Sequence, residues 1–202
     1  MSKTKLVWIV IMWALLTLFN YYYSIPFVDA FIWLGLSLTL IIFAVIQLIK
    51  LIHERKTIPV LRIQNAGIFI TLFLLTFFRA TDKIIEKVDW VVFYSKRSDI
   101  VKQIKNGQLN PNVSWNGFIC QLPFSFPIVS NGGNDIGIYR DKENGSVTVE
   151  YYISRGFIDI PSTQFIYTND SEEIRLIEEK IKIDPANNWR INTNWFRSKG
   201  DL

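Results

Sequence analysis

The sequence predicts a membrane protein, three transmembrane α-helices followed by a small α+β domain with an antiparallel sheet. Three observations predict it. Residues 6–78 hold three long apolar runs separated by short polar loops. Beyond Asn110 the pattern changes to short alternating runs broken by Pro, Gly and Asn, with an Asn144-Gly145 hairpin signal among them. The basic excess of the chain is confined to the part that holds the apolar runs. We therefore divide the chain into a three-helix anchor, residues 1–80, with spans at about 6–25, 30–50 and 63–79, and an extracytoplasmic α+β domain, residues 81–202.

The first run, Leu6 to Val28, has no charged residue over 23 positions. As a helix it reaches roughly 35 Å, more than the ~30 Å of a bilayer core. Trp8 near its start and Tyr21, Tyr22 and Tyr23 near its end suit the headgroup level, and Pro26 is expected to stop it. A signal peptide would need a shorter apolar core and a small-residue cleavage site. Asn20-Tyr-Tyr-Tyr is a poor one, so the segment is expected to stay uncleaved. The second run, Ala30 to Ile49, is again of spanning length and is closed by Lys50, His53, Glu54, Arg55 and Lys56. The third, Ile63 to Phe78, has only 16 residues between Arg62 and Arg79. At roughly 24 Å it needs snorkelling arginines or local thinning to cross. No charged residue is expected inside a span, which argues against an ion path or proton relay.

Charge sets the expected orientation. Lys3, Lys5, Lys50, Arg55, Lys56 and Arg62 share one face, and the Tyr23–Asp29 loop on the other has no Lys or Arg. The positive-inside rule places the amino terminus in the cytoplasm of a cell (inner) membrane, multi-pass, with the later residues outside. Arg79, Lys83 and Lys87 oppose this, but large domains translocate largely regardless of charge. Residues 1–78 carry six Lys/Arg against Asp29 and Glu54; residues 79–202 carry 16 of each sign. A neutral domain has no footprint for a polyanion, so no nucleic-acid partner is expected. The lipid bilayer is the expected partner of the anchor.

In the second domain, Ile84, Ile85, Val88, Val91 and Val92 recur at helical spacing over Thr81–Tyr94, an expected interfacial connector. Ser98 reads as the cap of a second short helix, with Ile100, Val101 and Ile104 as its stripe and Asn106-Gly107 as its end. Trp115–Leu122 reads as a strand ended by Pro123. Phe124–Val129, with Pro123 and Pro127, reads as an edge or an ordered loop. Ile136–Arg140 and Ser146–Ser154 form the expected hairpin. On the return strand Val147, Val149, Tyr151 and Ile153 share one face, and Thr148, Glu150 and Tyr152 the other. Phe157–Ile160 and Thr163–Thr168 read as further strands. Asp170 with Glu173 makes a capping box for a helix carrying Ile174, Leu176, Ile177 and Ile181. Trp189, Trp195 and Phe196 in the tail are expected to pack on the sheet.

The sequence has a single histidine, His53, so the second domain has neither a Ser-His-Asp set nor a His-rich zinc site. No Walker loop, GxGxxG, HExxH or EF-hand loop occurs. We assign no catalytic, cofactor-binding or metal-ligating residue and expect no cofactor. Asp135, Asp141, Glu150 and Asp159 could form a hydrolytic pair only by converging in one cleft; solvated strand ends and turns are the simpler reading. Asn131-Gly-Gly-Asn-Asp135 could form an anion nest or a loose calcium loop, with a plain turn the simpler reading. Cys120, the lone cysteine, reads as a buried thiol, with a bridge between chains as the alternative. Asn112, Asn144 and Asn169 open glycosylation sequons that matter only in a eukaryotic secretory pathway.

Asn110-Pro-Asn-Val-Ser-Trp-Asn-Gly-Phe, Ser130-Asn-Gly-Gly-Asn-Asp-Ile-Gly-Ile-Tyr and Pro161-Ser-Thr-Gln-Phe-Ile-Tyr-Thr-Asn-Asp carry a resemblance. The chain resembles small bacterial inner-membrane proteins with three spans and a carboxy-terminal extracytoplasmic domain. Those proteins have no established activity, so the resemblance implies the layout and no site residue.

The functional expectation is a non-enzymatic integral membrane protein whose outer domain binds a protein or an envelope component. An immunity protein against a membrane- or envelope-acting toxin is one concrete form, by analogy of size and layout. An envelope enzyme using carboxylates of the β region is one alternative. An accessory subunit of a membrane complex, with Gly35, Ser37, Thr39 and Gly67 as close-packing positions, is another.

Overall fold

The computed structural model describes residues 2–23, 26–54, 57–141, 143–156 and 161–200. It divides into two compact units, residues 1–88 and 89–202, with the boundary inside one helix. The first unit contains three helices long and apolar enough to cross a membrane, and the second a six-stranded antiparallel sheet.

In the first unit α1 runs Lys3–Tyr23, α2 Pro26–His53 and α3 Val60–Phe77. Leu6, Leu40, Ala44, Phe69 and Leu72 form the buried core between them. Large apolar side chains such as Trp8, Met12, Phe31 and Ile52 point outward, as suits helices whose solvent is lipid. Indole N–H groups find internal acceptors. Trp13 donates to Thr76 Oγ1 at 2.9 Å, and Trp33 to the Thr76 carbonyl at 3.1 Å.

Three expectations change here. Pro26 opens α2 rather than merely ending α1: its fixed φ and missing N–H suit a first helical position. Asp29 and Arg62, expected in loops, sit in the first turns of α2 and α3. Each is paired. Arg79 donates to Asp29 at 2.8 Å, and Arg62 to Glu54 at 2.8 Å and to the buried Gln47 at 3.3 Å. The two arginines flanking the short third helix thus each hold an acid at an opposite end of α2. Charge at both ends of α3 is neutralised where helix and headgroups meet, easing the crossing of an 18-residue helix. Ser37 is buried in the unit, whereas a methyl on Gly35 or Gly67 would meet no atom within 4 Å. Neither glycine marks a close helix approach within this chain.

Arg79, at φ 50°, takes the left-handed turn that separates α3 from α4, Ala80–Lys105. The two short helices expected here are one. Ser98 lies in the middle of α4, because nothing from 81 to 105 breaks a helix and tertiary packing overrides a cap signal. The expected apolar face is not the one that packs on the sheet: Ile84, Val88, Val91 and Val92 are exposed. The packed face carries Asp89, Trp90, Arg97, Ile100, Val101 and Ile104.

The sheet order is β1-β2-β3-β4-β6-β5, with β1 Ile119–Gln121, β2 Asp135–Arg140, β3 Val147–Ser154, β4 Thr163–Thr168, β5 Trp189–Asn192 and β6 Trp195–Lys199. The β2–β3 hairpin and β4 match the sequence reading. The expected strand from Trp115 shrinks to three residues, because Asn116 and Asn112 divert the flanking backbone. Asn112 pairs through its side-chain amide with both backbone groups of Gln121, at 2.8 and 2.9 Å. Trp189, Trp195 and Phe196 are strand residues of the sheet itself. The expected strand Phe157–Ile160 lies outside the described residues.

Both faces of the sheet are covered, unequally. On one, Trp90 of α4 packs tilted against Phe165 and edge-on to Trp195, with ring centroids 4.8 and 5.2 Å apart, and Tyr151 donates its hydroxyl to the Arg97 carbonyl at 3.0 Å. On the other, α5, Ser171–Ile183, sets Ile177 on Ile166 and Phe196. That 13-residue helix covers the β4–β6 half and leaves the β2–β3 half of its face as a cleft.

Candidate functional site

The cleft follows from strand alternation. Ile166 faces α5, so Gln164 and Thr168 on β4 do too. So do their cross-strand neighbours Thr148, Glu150 and Tyr152 on β3, and Gly137 and Tyr139 on β2. Where α5 lies over them these positions are apolar; where it does not they are polar. The result is a cleft of about 340 Å³ lined by Tyr139, Thr148, Glu150, Tyr152, Ser162, Gln164 and Glu173.

Glu150 is the central strand acid, only 9% exposed. Gln164 donates to its Oε2 at 3.2 Å and the Tyr139 hydroxyl at 3.5 Å. Tyr139 is stacked on Phe118, centroids 4.9 Å apart. The Thr148 hydroxyl shares a hydrogen with Thr168 at 2.8 Å, and Ser162 Oγ accepts the Gly156 N–H at 2.8 Å.

Glu173 enters from the first turn of α5. The Asp170 cap forms: its side chain accepts from the Glu172 and Glu173 N–H groups. The reciprocal half of the expected capping box does not, because the Asp170 N–H donates to Thr168 Oγ1 at 3.1 Å. Glu173 is thereby released toward the cleft, where its Oε2 is buried without a hydrogen-bond partner among the described residues. Burial, and then the neighbouring Asp170 and Glu172 carboxylates, push its carboxyl above the usual glutamate range. Asp170 moves the opposite way, held below the usual aspartate range first by the Ser146 hydroxyl and then by the helix N–H groups.

The other candidate carboxylates do not join Glu150. Asp135 pairs with Arg155 at 3.3 Å, Asp141 accepts the Glu143 N–H at 2.8 Å inside its own turn, and Asp159 lies outside the described residues. The Asn131–Asp135 loop is a plain turn. Asn134 Oδ1 accepts the N–H groups of Val129 and Ser130, and its amide donates to the carbonyls of Phe124 and Pro127, so these donors face no nest. Gly132 has φ 81°, and a methyl there would meet Arg155 Nε at 2.8 Å. No group of three metal-ligating side chains occurs among the described residues. Cys120 is fully buried, with its thiol pushed up by that burial, which leaves no sulfur presented for a bridge between chains.

A smaller polar feature lies in the first unit. Asn20, Asp29, Arg79 and Asp82 are among the residues lining a cavity of about 20 Å³, room for one water. Arg79 lies 3.7 Å from Asp82 and stacks over Trp33 at 5.5 Å. These groups are internally paired and read as the closing cap of the helix bundle.

Thr148, Glu150 and Tyr152 were visible in the sequence as the polar face of one strand, with a glutamate where strands rarely place one. Glu173 was hidden by its capping signature, and Tyr139 and Gln164 became neighbours only through the registers of β2 and β4. Comparison of the chain with protein-family models, with curated proteins and with solved structures found no match in any of the three.

Proposed function

We propose that this is a non-enzymatic, membrane-anchored binding protein of the cell inner membrane, with its amino terminus in the cytoplasm. Residues beyond the third span are then extracytoplasmic, and the cleft receives part of an envelope component or a partner. One observation carries the reading: a buried carboxylate oxygen, unsatisfied among the described residues, in an open cleft on one face of the sheet. Lys3, Lys5, Lys50, Arg55, Lys56 and Arg62 on one side of the spans support the orientation. The exposed Ile84, Val88, Val91 and Val92 support an interfacial position for α4.

Thr148→Trp, which fills the cleft floor, tests the binding part. The full chain in lipid nanodiscs is exposed to envelope extract and the retained molecules are identified by mass spectrometry. Molecules lost on Thr148→Trp are the expected result; identical sets from both proteins discard the cleft as the site. A reporter fused after Leu202 tests the orientation, and a cytosolic signal reverses it. Immunity is the concrete form to test in cells, by expressing the neighbouring gene with and without this one. Equal growth removes that form.

One feature favours a second reading, an envelope hydrolase. Glu150 and Glu173 line one cleft, and the raised Glu173 suits a general acid. Turnover of chromogenic glycosides that vanishes in Glu173→Gln would establish it.

A further inference from the structure

We propose that the cleft takes a small hydroxylated molecule through a primary ammonium group, with Glu150 and Glu173 as its acceptors. This rests on the reading of the cleft as a ligand site and names the chemistry of what it takes.

The argument is a count of donors and acceptors. Among the described residues the lining contains two carboxylates and no Lys, Arg or His. Its strand N–H groups are spent in the antiparallel ladder or, for Tyr152, on Ser130 Oγ at 3.0 Å. Three of its side chains already spend a hydrogen inside the chain or share one: Gln164 and Tyr139 donate to Glu150, and Thr148 pairs with Thr168. The oxygen left over, Glu173 Oε2, is an acceptor. A ligand that completes the cleft therefore brings hydrogens and positive charge. An ammonium brings three donors and no acceptor, and an anion is repelled. A bare divalent cation would need more carboxylate or carbonyl ligands than the lining supplies, and the 340 Å³ volume is that of a small-molecule site. The hydroxyls of Tyr139, Thr148, Tyr152 and Ser162 in the lining, each able to accept as well as donate, match a hydroxylated body.

Gly137 adds an independent observation. It lies opposite Glu150 in the register. A methyl built there would stand 3.0 Å from Glu150 Oε2 and 3.3 Å from the Tyr139 ring. Its φ is not in the left-handed region, so the backbone does not demand glycine. Glycine in a strand interior is costly and marks close approach; here the missing side chain gives the Glu150 carboxylate its room. The raised Glu173 carboxyl fits the same picture, because an ammonium beside it would restore the charged form.

The test titrates the full chain in nanodiscs with glucosamine, N-acetylglucosamine and glucose, followed by calorimetry. Glucosamine should bind at least tenfold tighter than the other two, which lack the charge. Glu173→Gln and Glu150→Gln should each weaken glucosamine at least tenfold and weaken glucose by less. Gly137→Ala should weaken glucosamine by crowding Glu150, and amide exchange in β3 and β4 no faster than in the wild type certifies each fold. Equal affinity for all three sugars overturns the ammonium inference while the cleft survives as a binding site. No binding of any of the three at millimolar concentration also overturns it, and the Thr148→Trp experiment then decides separately whether the cleft holds anything.

Discussion

On the α4 face of the sheet, Asp89 is 3% exposed and meets Arg97, also 3% exposed, whose guanidinium further donates to the carbonyls of Val129, at 2.9 Å, and Asp89. The same guanidinium lies 4.9 Å from the Phe165 ring centroid and 5.9 Å from that of Tyr151. On the α5 face, Glu173 also turns a carboxylate oxygen inward, and nothing meets it. Both acids sit on helices that pack on the same sheet. A buried charge that is paired and hydrogen-bonded belongs to the fold, because its desolvation is offset within the chain. A buried acceptor left open is a cost the fold does not require. That contrast is why we read one side of the sheet as architecture and the other as a site.

Removing one partner on the closed side should have the largest effect. Arg97→Leu leaves Asp89 buried without its cation and should cost the second unit about 3–5 kcal/mol. Amide hydrogen exchange of β3 and β4 in the full chain measures it, since those strands open only with the unit. Replacing both residues at once, Asp89→Leu with Arg97→Met, should recover most of that loss, because no charge is then stranded. A double variant as unstable as the single would mean that the rings around Arg97, rather than charge compensation, hold this side together.

The intermediate case is Asp170, whose charge is met by hydrogen-bond donors rather than by a cation. Asp170→Ala removes the cap of α5 and should cost about 1 kcal/mol at neutral pH. Its carboxyl is held below the usual value by Ser146 and the helix N–H groups, so its contribution is fully present above the unfolded pKa near 3.8. It is lost as pH falls through the lower folded value. The deficit of Asp170→Ala relative to wild type should therefore shrink in acid below 3.8 and stay flat above it. Exchange rates in α5 across that range check it.

These three acids also show how far the sequence could be read. The Asp170 cap was legible because capping is local, three residues wide. The three spans and the β2–β3 hairpin were legible for the same reason: an apolar run, an alternation and an Asn-Gly turn are each written in contiguous residues. Asp89 and Arg97 were not legible as a pair. They are eight positions apart on what the sequence split into two helices, and only the merged α4 puts both on one face. The β5–β6 hairpin is not legible because its turn, Thr193-Asn194, has no glycine and its strands pair with a register shift. Glu173 was assigned to the wrong partner, since the sequence cannot show that Thr168 satisfies the Asp170 N–H first.

The smallest effect is the one that most sharpens the contrast. Glu173→Gln removes the charge of a carboxylate whose oxygen finds no partner among the described residues, and should stabilise the second unit at neutral pH by about 1 kcal/mol, because an amide costs less to bury there than an uncompensated charge. The sign in pH follows from the raised carboxyl. The folded chain holds this proton to higher pH than the unfolded chain, so the stability it confers is fully present below the unfolded value of 4.5 and lost as pH rises through the folded one. The variant has no such loss. Its advantage over wild type should be absent near pH 4, grow as pH rises above 4.5, and level off toward neutrality. Amide exchange of the first turn of α5 in both proteins measures it. A Glu173→Gln protein that is less stable than wild type at neutral pH would mean that the carboxylate is satisfied within the chain, and the α5 face would then be as closed as the α4 face.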